Sequence, residues 1–440
     1  RGSTAEFRRD RLIVSVRSGF PVGPTLDAVK AFLDTNVEFP TIHNPPGRPW
    51  AVIQFQPLAD AEAKIPLLAA QLAQRPDLRY AEPDFLCSGH NIANDPMYLE
   101  GSQWWIQKIG IADMWEVTRG SSKVLLAIVD SGISIVGGET DHQDLRGARY
   151  IVRNTLVGIP VPHDYTVPLT SSTWPFMPVH PPRDGVPHGT HVAGIAAALT
   201  NNNIGVAGAN WDSDVYIARV LDDNNNGSPS SMKFAVDDVL RFVNHSPFVF
   251  PWLFGSHYKR VVINLSLGST VLADSLLEMC EETSGGKIII CASAESRGVG
   301  DELQYPAAYA TQFPHVFAVG GTDQHDVINM PHLGDYSGVT IFAPGVGIRS
   351  TTPTYPCTDS YPLMYADMNG PSQACPIVSG SVSLLWSAHL SLTPSQIRSG
   401  LIASSVRCTN DLGTATYPRL NLKFRPKRWW QVLRPSLPWQ

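Results

Sequence analysis

The sequence predicts an α/β protein: a doubly wound, mostly parallel sheet flanked by helices, preceded by a small α+β domain. Three observations predict it. Short apolar runs alternate with helical patterns between Lys123 and Val319, the order expected when parallel strands are joined by helical crossovers. The run Lys123-Val-Leu-Leu-Ala-Ile-Val129 is apolar after its first residue and reads as a short buried strand. Residues 8 to 86 carry a separate, tighter alternation of strands and helices, which suggests a compact α+β sandwich.

The 440 residues suffice for two domains with a large core. Charged residues make up 16% and hydrophobic residues 43%, the balance of a globular chain and not of a disordered one. A net charge of −6 gives no basis for nucleic-acid binding. No apolar run reaches about 18 residues, so no spanning helix is expected. The chain begins at Arg1 with neither methionine nor an apolar leader, which leaves secretion undecided.

In the first module Arg11–Val16 reads as a strand and Thr25–Thr35 as a helix. Ala51–Phe55 is a second strand, Ala61–Gln74 an apolar-faced helix and Leu78–Ala81 a last strand. A polar link with Gly89 follows over residues 87 to 94. The strand before Asp130 ends in Asp130-Ser131-Gly132. Residues 150 to 185 are rich in proline and hold no period, so they read as a long loop, either rimming the site or decorating the surface. His188-Gly-Thr-His-Val-Ala-Gly194 opens a helix with Val192, Ile195, Ala196 and Leu199 on one face.

Beyond it, Val215–Leu221, Val261–Leu267, Lys287–Ala292 and Val316–Val319 are short apolar strands, and Met232–Val243 and Leu272–Glu282 are helices. Ligands of such a sheet bind at the carboxyl ends of its strands, where Asp130 and the stretch Ala292–Glu295 fall. Val378, Val382 and Leu385 recur at helical spacing, so a buried helix begins at or just after Ser372, with Pro376 near its first turn. A serine there has free backbone N–H groups beside it. Thr393-Pro-Ser-Gln396 is a capping box opening the last helix. Cys291 and Cys375 lie in apolar surroundings and read as buried thiols, while Cys357 and Cys408 are candidates to pair.

Asp130, His188 and Ser372 supply a carboxylate, an imidazole and a hydroxyl, which are the parts of an activated nucleophile. Their motifs read IVDSG, HGTHVAG and NGPSQACPIVSG. From about Asp95 to Tyr417 the chain resembles the subtilisin-like serine proteases, whose order is also Asp, His, Ser. The resemblance implies a serine endopeptidase made as a zymogen, secreted or otherwise extracytoplasmic. Its substrate is a polypeptide, and no nucleic acid is implied. The alternative is a weak or inactive binding protein that keeps the fold, since fold alone does not fix activity.

The same resemblance implies further parts. Tyr80-Ala-Glu-Pro-Asp84 resembles the end of subtilisin-type pro-peptides, so residues 1 to 90 are expected to act as an intramolecular inhibitor and folding chaperone, with the catalytic domain over 91 to 420. Asn94-Asp95-Pro96 and Gln103-Trp104 look like a mature start, which puts a processing bond between Leu86 and Asp95. Structural calcium is implied at Asp95, Asp144, Asn202 and the carbonyls of Ile204 and Val206, oxygen ligands of the kind this hard ion takes. Ser266, Leu267 and Gly268 resemble the segment that pairs with an extended substrate, with Ala292, Ser293 and Ala294 as the opposite wall. Gln304 falls at the floor of the pocket for the residue before the cut, where the family often has glycine.

Two positions depart from the family. Glu295 stands where an asparagine usually donates to the oxyanion, and an ionised glutamate only accepts. Pro371 and Gln373 replace the usual neighbours of the serine. The tail from Asn421 to Gln440 is basic and rich in tryptophan. It is read as a terminal strap, without membrane contact.

Overall fold

The computed structural model describes residues 7–85, 93–136, 139–146, 150–151, 183–244, 257–296, 302–330, 336–357, 361–410 and 413–423. Most of the proline-rich insert, the link after Phe85 and the tail from residue 424 lie outside them. The chain forms two compact units, Arg1–His90 and Asn91–Gln440.

The first unit contains β1 (Phe7–Val16), α1 (Val22–Asp34), β2 (Thr41–His43), β3 (Trp50–Gln54), α2 (Ala61–Ala73) and β4 (Leu78–Phe85). Its sheet runs β2-β3-β1-β4, antiparallel throughout. Leu26, Val29 and Leu33 of α1 and Ile65, Leu68 and Leu72 of α2 share one core with Leu12, Val14 and Ile53. The helical stripes are spaced three and four apart and the strand positions two apart, so each element offers one apolar face to the other layer.

The second unit opens with three short helices, α3 (Pro96–Leu99), α4 (Trp104–Ile109) and α5 (Ile111–Trp115). Then come β5 (Val124–Asp130), β6 (Ile135–Val136), β7 (Glu139–Thr140), β8 (Tyr150–Ile151), α6 (His188–Ala197), β9 (Asp214–Arg219) and α7 (Pro229–Asn244). The series continues with β10 (Arg260–Leu265), α8 (Asp274–Glu282), β11 (Ile288–Ser293), β12 (Val316–Thr322), β13 (Ile341–Pro344), β14 (Ile348–Thr351) and β15 (Tyr365–Met368). It closes with α9 (Pro371–Ala388), α10 (Pro394–Ser404), β16 (Val406–Thr409) and β17 (Thr416–Arg419).

Nine strands form one sheet in the order β16-β17-β13-β12-β11-β10-β5-β9-β8. Every pairing from β17 to β8 is parallel, and the terminal pair β16–β17 alone is antiparallel. All seven residues of β5 are buried. Leu125, Ala127 and Val129 pack with Met232, Val236 and Met279 of α7 and α8, while Leu126 and Ile128 pack with Val192, Ile195 and Val378 of α6 and α9. The alternation of a strand thus feeds two cores, one on each face, with each buried aliphatic side chain worth roughly 1.5–3 kcal/mol.

Helix α9 differs from expectation in one respect. It starts at Pro371, so Pro376 sits inside it and not in its first turn. Proline there removes the N–H that would bond the carbonyl of Ser372 four residues back. That carbonyl instead accepts from the hydroxyl of Ser266 at 2.8 Å. Among the described cysteines, Cys280, Cys291, Cys357, Cys375 and Cys408 are free thiols, so Cys357 and Cys408 do not pair. Cys408 lies on β16 with its Sγ against the carbonyl of Tyr417, and Cys357 lies near the carbonyl of Asp184.

Candidate active site

Three element ends meet at the carboxyl edge of the sheet. Asp130 is the last residue of β5, His188 the first of α6 and Ser372 the second of α9. The approach of β5 to α6 depends on Gly189, where a Cβ would come within 2.3 Å of the Gly132 carbonyl oxygen. Asp130 is 1% exposed, and its Oδ1 lies 2.7 Å from Nδ1 of His188. The same oxygen accepts from the N–H of Ser131 at 2.7 Å.

Burial alone would lower the His188 pKa. The charge and hydrogen bond of Asp130, with the charges of Asp184 and Glu295, outweigh it and leave the imidazole above its ordinary value. The hydroxyl of Ser372 donates to the carbonyl of Ser266 at 3.2 Å. As the second residue of its helix, Ser372 has a backbone N–H without an intrahelical acceptor.

His188 and Ser372 face one cleft of about 430 Å³. Ser266, Leu267 and Gly268 line one side of it, and Ser293, Glu295 and Gln304 also face it. Ala292 and Ala294 do not. Both are fully buried in the core under α7 and α8, because alternate residues along this strand face opposite sides. Of the expected trio the cleft is lined by Ser293, with Glu295 next to it. Gln304 donates from Nε2 to the carbonyl of Ser296 at 2.9 Å, and its backbone N–H bonds the carbonyl of Glu295. Its Oε1 lies so close to Gly268 that a Cβ there would meet it at 2.7 Å. The glutamine side chain thus reaches from one wall to the other.

The residues expected to hold calcium come together apart from this cleft. Asp95 and Asp144 are both fully buried, and each raises the pKa of its carboxyl chiefly through burial. Asn201 donates to Asp95 Oδ2 at 2.8 Å, and the N–H of Val206 and the hydroxyl of Tyr365 each reach Asp144 Oδ2 at 2.9 Å. The amide of Asn202 lies 3.0 Å from Asp144 Oδ1. Among the described residues no group of three or more His, Cys, Asp or Glu side chains could hold a metal. The candidate set has two carboxylates and otherwise amide and carbonyl oxygens, the ligand chemistry of a hard cation such as calcium. The charge of Asp144 adds to burial in raising the Asp95 pKa.

A parallel α/β scaffold that brings an Asp-bound histidine and a helix-borne serine to one cleft defines the class of an Asp-His-Ser hydrolase. The chain belongs to the subtilase family, whose sequence model matches residues 121–424. It is 30% identical to thermitase of Thermoactinomyces vulgaris over 326 residues, 74% of this chain and 94% of that protein. It is 30% identical to a thermophilic serine proteinase of Bacillus sp. (strain AK1) over 317 residues, 72% of this chain and 65% of that one. With halolysin of Haloferax mediterranei it shares 28% identity over 413 residues, 91% of this chain and 66% of the relative. The last two relatives are thus spanned over slightly less than two thirds of their own length.

Sequence reasoning missed the polar frame behind the triad. Asn264 donates to the hydroxyl of Ser266 at 3.0 Å and accepts from that of Ser379 at 3.0 Å, which ties β10 to α9. Asp184 is fully buried at the end of the proline-rich insert, where no period points to it. The serine in Asp130-Ser131-Gly132 was the available signal for its partner.

Proposed function

We propose that the chain is a subtilisin-type serine endopeptidase. The observation that carries this is the 2.7 Å contact of Asp130 with His188 at the cleft that Ser372 faces. Ser372 Oγ attacks the carbonyl carbon of a peptide bond while His188 Nε2 takes its proton. Asp130 accepts a hydrogen bond from the Nδ1–H of His188, which fixes the tautomer and stabilises the imidazolium. The tetrahedral intermediate collapses to an acyl-enzyme as His188 protonates the departing amine. Water, activated by the same imidazole, then hydrolyses the ester. The hydroxyl of Ser372 must turn from the Ser266 carbonyl for this, as free enzymes often require.

The backbone of Ser266–Gly268 takes the substrate as an added strand, so main-chain bonds give affinity and pockets give choice. The N–H of Ser372 serves the oxyanion, and Glu295 is its atypical second partner. Residues 1 to 90 act as the inhibitor of the precursor, and the protein works outside the cytoplasm. No helix of the described residues is long and apolar enough to cross a membrane. Asp95, Asp144, Asn202 and the carbonyls of Ile204 and Val206 would hold calcium, which would offset the charge of the two buried carboxylates.

The test is labelling with a fluorophosphonate probe. The purified protein is expected to form a stable adduct that Ser372→Ala abolishes. Absence of labelling at every pH between 6 and 10 would instead favour an inactive binding protein, to which Glu295 and Pro371 point.

A further inference from the structure

The carboxylate of Asp184 is fully buried, and among the described residues no lysine or arginine reaches it in a hydrogen bond. Oδ1 accepts from the hydroxyl of Ser131 at 2.7 Å. Oδ2 accepts from the backbone N–H of Thr190 at 2.7 Å and from the Thr190 hydroxyl. Ser131, held in this way, accepts from the N–H of Gly189 at 2.8 Å. Ser131 follows Asp130 in the chain, and Gly189 follows His188. The two neighbours of the catalytic pair are therefore tied to one buried anion. The backbone of Asp184 is fixed as well, its N–H on the carbonyl of Ile133 at 3.0 Å and its carbonyl under the hydroxyl of Tyr355 at 3.2 Å.

We propose that Asp184 is a positioning residue for the triad: its ionised carboxylate, through Ser131 and Thr190, sets the spacing between Asp130 and His188. This rests on the protease reading above. Both oxygens of a carboxylate accept, which the three donors require. Burial and the charge of Asp130 oppose that ionisation, the hydrogen bonds favour it, and the balance leaves the pKa at about 6. The groups facing it are Asp130 from β5, His188 from α6, and Tyr355 and Cys357 from the loop after β14, with Arg183 beside it in the chain.

The sign of the stability effect separates this role from a structural one. The folded pKa lies above the ordinary 3.8, so the fold is stabilised by protonated Asp184 at low pH. That stability is lost as pH rises through about 6. The ionised group is thus held at a cost to the fold at neutral pH.

The experiment uses Asp184→Asn in the full chain, processed as the wild type is. Asparagine caps a helix as well as aspartate, so a capping role would be preserved. Its NH₂ cannot accept, so it can face Ser131 only by reversing that hydroxyl, which weakens the hold on Gly189. The expected result is a kcat ~10-fold lower, in line with small misplacements of a catalytic group, with KM little changed and a melting temperature at pH 8 that does not fall. The acid limb of kcat/KM should fall more steeply than one proton per pH unit in the wild type. In the variant it should follow a single proton and lie at lower pH, because His188 has lost an anionic neighbour. Unchanged kcat and limb, or a melting temperature that falls together with kcat, would overturn the proposal.

Ser131→Ala and Ser131→Thr give a second route if Asp184→Asn does not fold. Alanine should cost kcat by a similar factor and threonine, which keeps the hydroxyl, should restore it. An alanine variant as active as wild type would also overturn the proposal. Failure of the protease reading is read separately, from fluorophosphonate labelling of the wild type.

Discussion

Ser266 and Ser372 hold each other through two hydrogen bonds of opposite sense. The Ser266 hydroxyl donates to the Ser372 carbonyl at 2.8 Å, and the Ser372 hydroxyl donates to the Ser266 carbonyl at 3.2 Å. The first bond replaces the one that Pro376 cannot make. Ser266→Ala would leave a half-buried helix carbonyl without this donor, which costs about 1 kcal/mol. A melting temperature lower by several degrees is expected, with a fall in kcat as the first turn of α9 loosens. An unchanged melt would mean that the carbonyl finds another donor.

Gln304 spans from Ser296 to Gly268, and on the proposed reading this makes the pocket for the residue before the cut shallow and polar. Peptides with alanine or serine at that position should be cut faster than those with phenylalanine. Gln304→Gly should raise kcat/KM for the phenylalanine peptide by ~10-fold or more, the scale of a few methylenes' discrimination. The alanine peptide should change little. An identical preference in the variant would remove Gln304 from the pocket.

Glu295 shares the cleft with His188 and holds its pKa up by charge. A carboxyl donates to an oxyanion only when protonated, whereas His188 must be neutral to act. With ionised Glu295 beside it, His188 becomes neutral only above its ordinary value of 6.5, so activity should begin above that value, in the presence of a carboxylate that cannot donate to the oxyanion. Glu295→Asn supplies a donor at every pH and should raise turnover, by up to about 10²–10³ if the site is of the ordinary kind. It should also move the acid limb downward, since an anion beside His188 is lost. Glu295→Ala should move the acid limb alone. If Glu295→Asn leaves turnover unchanged, the residue does not face the oxyanion.

Burial raises the pKa of both Asp95 and Asp144, so each ionised form weighs against the fold as pH rises through these raised values. A bound cation reverses that sign. Chelation at pH 8 should lower the melting temperature, and added calcium should restore it through linkage to the folded state. A melt that ignores the chelator would leave the 200–206 stretch as a turn held by protein donors.

The first unit has its own sheet and core, so it can be made as a separate piece. At micromolar concentration it should inhibit the processed second unit in trans. Full activity in its presence would count against an inhibitory role.

The candidates Asp130, His188 and Ser372 and most strands could be picked out of the sequence because each rests on a local signal. HGTHVAG carries both a histidine and the small residues that let α6 approach β5, and a fully apolar strand such as β5 reveals itself by composition. What stayed hidden depends on contacts far apart in sequence. Ala292 and Ala294 face the core because register, not identity, decides which side of β11 meets the cleft. Asp184 reaches Ser131 across 53 positions, out of a segment without periodicity. The hairpin β14–β15 and the β16–β17 pair are too short for a period to show.

Helix α9 is buried without a break from Gln373 to Trp386, and the serine rides on its first turn. No opening that frees this helix can leave the core it shares with α6 and β5 intact, so loss of the nucleophile and melting of that core are a single event. For a protease this has a social consequence. On the proposed peptidase reading, a heated sample holds native molecules that cut and melted ones that serve as their substrate. Irreversible inactivation should therefore proceed by collision between the two, accelerating with protein concentration and slowing on dilution.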